Sequence, residues 1–98
     1  MQTDAETLRT ILLALERMER SPPEPIILDL VEFSGRIGAS VPQVELGMAR
    51  LADRAFIEGP GPFGGAWLFR RLTRKGRRLM DEIRTEKRWR ALKEAYDD

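Results

Sequence analysis

Apolar residues recur at spacings of three and four along two stretches of this chain. In residues 4–20 they are Leu8, Ile11, Leu12, Leu15 and Met18, the stripe of an amphipathic helix. Thr3 with Glu6 has capping-box spacing and starts this helix near Asp4. Ser21-Pro22-Pro23-Glu24-Pro25 ends it, because proline lacks the amide proton that a helix interior uses. In residues 40–55 the stripe is Val44, Met48, Leu51 and Ala55. Ser40 with Gln43 again has capping-box spacing, and Gly38 supplies the turn before it.

Between the two helices, Ile26-Ile27-Leu28 is a short apolar run suited to a strand. Asp29 then caps a short helix through Leu30, Val31 and Phe33 to Arg36. The competing choice is one longer strand through Phe33, since the segment is rich in β-formers; the helix is slightly preferred. After the second helix, residues 55–58 read as a strand, and residues 67–72 as its return. The seven residues 59–65 hold four Gly and two Pro, so they read as a loop, giving a hairpin with a mobile tip. Thr73 caps the last helical region. Leu72, Leu79, Met80 and Ile83 form one apolar stripe there, and Trp89, Leu92 and Tyr96 form another. Leu92 lies nine positions past Ile83, about half a turn round an ideal helix. Either the helix breaks near Thr85, which then caps a new one, or one long helix shows apolar groups to two partners.

This order, with Phe33, Ile37, Gly38, Ser40, Val44 and Leu51 at helix-turn-helix spacing, predicts an α+β fold, mainly α. It is a winged helix-turn-helix with a small β-hairpin wing and a C-terminal helical extension. The whole of residues 1–98 is expected to be one domain, with 1–84 as core and 85–98 as the extension.

Composition narrows the chemistry. The chain has no Cys and no His, which removes disulfides, thiolate metal sites, the Ser-His triad and nearly every zinc site. No run of about 18 apolar residues occurs and the start has no signal-peptide pattern, so no membrane partner and a cytoplasmic location are expected. The carboxylate pairs Glu16/Glu19, Asp81/Glu82 and Asp97/Asp98 fall on polar helix faces or the tail, and Asp29/Glu32 near a turn. None stands beside a nucleophile. The Gly-rich segment bridges two strands rather than a strand and a helix, so it is no P-loop. No enzymatic activity, metal or cofactor is expected.

Charge changes the picture more. The net charge is only +1, yet residues 1–69 carry 6 Arg against 10 acids and residues 70–98 carry 11 basic residues against 6 acids. Arg70, Arg71, Arg74, Lys75, Arg77 and Arg78 fall together with no acid among them. At a wing base and the start of the last helix they are candidates for contact with DNA phosphates, where each neutralised phosphate adds salt-dependent affinity. The bland alternative is a solvated face balanced by the acidic first half. On the candidate recognition helix the outward positions are Gln43, Glu45, Leu46, Ala49 and Arg50. Gln43 and Arg50 are the candidate base contacts, with Arg36 and Ser40 on the backbone. Glu45 and Asp53 cancel Arg50 and Arg54, so this helix is neutral. The wing holds no basic residue at its tip, and Trp67 is expected in the core. Trp89, Leu92 and Tyr96 either fold back on the first helix or form a homodimer interface, which would set two recognition helices about one DNA turn apart.

Three stretches resemble a small bacterial and prophage-associated family of unknown function with a winged-helix look. Asp4, Leu8, Arg9 and Ile11-Leu12-Leu13 are similar to its opening helix. Ser40 to Ile57, with Val44, Met48, Leu51, Ala52 and Asp53, is similar to its Ser-capped helix. Leu72-Thr73-Arg74-Lys75-Gly76, then Leu79, Asp81, Arg84, Trp89 and Lys93, resembles its closing signature. The chain departs from the pattern at Leu46 (an aromatic in the family), Gly47 (His), Ala55 (often Gly) and Arg74 (often Trp). Its segment Ile26 to Ile37 is longer than the family's. The resemblance implies a prophage setting and a winged helix. The function expected is a small DNA-binding transcriptional regulator, with double-stranded DNA as partner. The alternative is a protein–protein interaction module or phage accessory protein using Leu46, Phe63, Trp67 and the Trp89–Tyr96 stripe.

Overall fold

A computed structural model describes residues 5–85, 88–91 and 94. The elements run α1 (Ala5–Met18), β1 (Ile26–Asp29), α2 (Leu30–Ile37), α3 (Val41–Asp53), β2 (Ile57–Glu58), β3 (Gly61–Phe63), β4 (Ala66–Phe69), β5 (Arg71–Leu72) and α4 (Arg74–Ile83). The fold is α+β, mostly helix, with a small antiparallel sheet. No helix among the described residues is long and apolar enough to cross a membrane.

The helices form where local sequence signals place them. α1 buries Ile11, Leu12 and Leu15, the centre of its apolar stripe. Asp29 resolves the choice between helix and strand: its carboxylate accepts the Glu32 N–H at 3.0 Å. That capping bond turns the chain out of β1 into α2, whose Leu30, Phe33 and Ser34 face inward. Gly38 ends α2 in the left-handed region at φ 73°, a conformation costly for a residue with a Cβ. Ser40 then opens α3 with a complete capping box: Gln43 N–H to Ser40 Oγ, and Ser40 N–H to Gln43 Oε1 at 2.9 Å.

The hairpin differs from the sequence expectation. Residues 61–63, read as loop, form β3, and the turn shrinks to Gly64-Gly65. The sheet order β1-β4-β3 makes β3 an edge strand, where a proline need not donate to a ladder. Pro62 therefore pairs in register with Trp67 without cost to the sheet. The kink between β2 and β3 lies at Gly59, where a Cβ would stand 2.6 Å from the Leu68 carbonyl oxygen. The return strand is interrupted at Arg70, and β5 pairs separately with β2.

One hydrophobic core joins all layers. Leu28, Trp67 and Phe69 on the inner sheet face pack with Ile11 and Leu15 of α1, Phe33 of α2, and Val44 and Met48 of α3. Leu72, Met80 and Ile83 seal it from the α4 side. The helix does break near Thr85. α4 ends at Ile83, residues 88–91 are helical again, and Thr85 caps them: its Oγ1 accepts the Arg88 N–H at 3.3 Å and its carbonyl the Trp89 N–H at 2.8 Å.

Candidate nucleic-acid interface

The basic residues 70–78 are held by a joint between the end of α3 and the start of α4. Thr73 is its centre. The hydroxyl accepts the Gly76 N–H at 3.0 Å, capping α4, and donates to the Ala55 carbonyl at 2.5 Å. The Thr73 N–H donates to the Phe56 carbonyl at 3.0 Å. Gly76 lies so close to that carbonyl that no Cβ fits there. Ala55 takes up φ 61°, a left-handed conformation costly for a residue with a Cβ.

From this joint the six cations radiate with different neighbours. Arg70 and Arg71 both reach Glu58, at 3.4 and 2.9 Å. Lys75 donates to the Arg54 carbonyl at 2.8 Å and lies 4.8 Å from the centre of the Phe56 ring. Arg77 meets Glu19 at 2.7 Å, and Glu19 also accepts the Leu72 N–H at 3.0 Å. Arg74 and Arg78 are exposed, one helical turn apart, and among the described residues neither side chain forms an ion pair or hydrogen bond. The run of cations without an acid in sequence is thus partly neutralised in space. Glu58 arrives across the β2–β5 pair and Glu19 from the end of α1; the second contact is one that spacing along the chain gave no means of seeing.

On α3 the outward positions separate. Glu45 is exposed, whereas Gln43, Leu46, Ala49 and Arg50 are half-buried. Gln43 spends its carbonyl oxygen on the cap of its own helix. Arg50 borders a pocket shared with α1 and α4. The exposed α3 positions are Pro42, Glu45, Ala52 and Asp53, two of them acids and none basic. Arg36 pairs with Glu32 at 2.8 Å across one turn of α2, both side chains largely in solvent. Ser40 holds the α3 cap. The structure therefore gathers Arg70, Arg71, Arg74, Lys75, Arg77 and Arg78 at one joint and leaves Arg36, Ser40, Gln43 and Arg50 distributed along α2 and α3.

Of the aromatic candidates, Trp67 is buried in the core as expected. Trp89 is 5% exposed. Its indole N–H donates to Glu6 of α1 at 3.0 Å, and Arg9 lies 5.1 Å over its ring. This is the fold-back on the first helix, made within one chain. Leu92 and Tyr96 lie outside the described residues. Both tryptophans are buried, whereas Phe63 is 69% exposed. No protein-family model, curated protein or solved structure matches the chain.

Proposed function

We propose that this chain is a winged helix-turn-helix domain that binds double-stranded DNA chiefly through the phosphate backbone. The fold supports the reading: α2, the Gly38 turn and α3 precede an antiparallel hairpin, and β1 adds to that hairpin as a third strand. The observation that carries it is the Arg74–Arg78 ridge, two exposed guanidiniums with no partner among the described residues, flanked by Arg70, Arg71 and Lys75. Arginine forks match phosphate oxygens, and the first turn of a helix adds the favourable end of its dipole. The outer face of α3, with Glu45 and Asp53, supplies little for reading bases. Affinity is therefore carried by the backbone and sequence preference is small. In this reading the chain is a small regulator of bacterial or prophage origin.

The test is binding to mixed-sequence duplex DNA across a salt series. Losing two phosphate contacts in Arg74→Ala/Arg78→Ala lowers the magnitude of the log–log salt slope by about 1.8. Absence of binding by the unaltered chain at low salt overturns the proposal. A protein-docking role is favoured by a different observation. Ile27 and Phe63, 72% and 69% exposed, flank Leu68 and Ala66 on the outer face of the sheet. Exposed apolar side chains grouped in this way are a mark of protein contact, and the one charge in register beside them, Asp29 opposite Ala66, is of the sign that repels DNA.

A further inference from the structure

The pocket that Arg50 borders lies between α1, the end of α3 and α4. It has a volume of about 310 Å³, within the size range of small-molecule sites. Its walls are apolar: Leu8 and Leu12 of α1, Leu79 and Ile83 of α4, and the rings of Phe56 and Trp89. Among the described residues, the charged side chains that border it are Arg9, Arg50 and Arg54. No acidic residue is among the described residues that line it.

The walls are firmly set. Arg9 Nε donates to the Ile83 carbonyl at 3.2 Å and its guanidinium covers Trp89 at 5.1 Å. The Trp89 indole is in turn held by Glu6 at 3.0 Å. Arg54 is exposed and its guanidinium forms no ion pair or hydrogen bond among the described residues. An apolar body therefore gains by burial against aliphatic and aromatic walls. A negative charge attached to it meets the Arg54 guanidinium at the pocket's edge.

We propose that this pocket binds a small aromatic carboxylate, with the ring between the helices and the carboxylate toward Arg54. The proposal does not depend on DNA binding. It is tested on the full chain with 2-naphthoate and its uncharged analogue 2-naphthamide, titrated by calorimetry and by carbon–proton spectra of the methyl groups. Naphthoate is expected to bind saturably and to shift the methyl signals of Leu8, Leu79 and Ile83 while leaving Leu28, in the sheet core, unmoved. The amide is expected to bind roughly fivefold more weakly, the gain of one partly solvated charge pair. Arg54→Gln, at an exposed position that does not endanger folding, removes the preference for the acid. Arg54→Glu reverses it. Failure of naphthoate to bind at millimolar concentration overturns the proposal. Equal binding of acid and amide, an unchanged preference in Arg54→Gln, or shifts confined to other methyl groups also overturns it.

Discussion

Glu19 offers the sharpest test of how the α4 joint is supported. It lies one residue beyond α1, its side chain is 11% exposed, and a single oxygen accepts both the Leu72 N–H at 3.0 Å and the Arg77 guanidinium at 2.7 Å. Leu72 is itself buried at 1% exposure, so its amide has no recourse to water once the acceptor is gone. Glu19→Ala leaves that amide unsatisfied, at about 1–3 kcal/mol. It also removes an ion pair whose arginine is half in solvent, which adds about 0.5 kcal/mol. The total of about 2 kcal/mol lowers Tm by roughly 10 °C in a domain of this size. Glu19→Gln keeps an acceptor for the Leu72 amide and loses only the charge, so its cost is about 0.5–1 kcal/mol. The assay is urea unfolding followed by helical circular dichroism, with one slope shared by all variants. Equal losses in the glutamine and alanine variants refute the reasoning, because the ion pair would then outweigh the amide bond.

Two further substitutions test the joint itself. Gly76→Ala normally strengthens a helix, but here the added Cβ meets the Phe56 carbonyl; the expected outcome is a loss of about 2 kcal/mol by overpacking, measured as a fall in Tm. Ala55→Gly relieves a left-handed conformation worth roughly 1 kcal/mol against a similar gain in unfolded-chain freedom. Its stability in urea should therefore match or slightly exceed that of the parent, and a loss above about 1 kcal/mol contradicts the strain at Ala55.

What was legible in the sequence was what is decided over three or four residues. The bonds of Asp29 to Glu32, Ser40 to Gln43, Thr73 to Gly76 and Thr85 to Arg88 all span three positions, so the residue types announce them. β3 was hidden because Pro62 reads as a strand breaker until its edge position is known, and edge position is a property of the assembled sheet. The basic run was legible as a run, but its neutralisation was not. Glu58 lies 13 residues from Arg71, and Glu19 lies 58 from Arg77; the first pairing depends on the register of β2 against β5, the second on the packing of α1 against α4. Gln43 shows a related limit. Its type and place suited both base contact and a capping box, and only the fold shows where its oxygen is engaged. The neutrality of α3 was visible from the start in Glu45 and Asp53, and it is the acids that remain outermost.

The bonds from Thr73 to Ala55 and Phe56, with the short β2–β5 pairing above them, draw the two ends of the hairpin together at its neck. The residues that follow α3 and the first turn of α4 are thus tied into one corner by Thr73. The hairpin meets the arginine ridge at that neck and, beneath it, through the core shared by Phe69, Leu72 and Met80. Substitutions on the exposed sheet face and on the ridge change solvent-facing side chains and leave both connections intact, so they should be energetically separable. Selection could remodel one surface of this small domain while leaving the other as it stands.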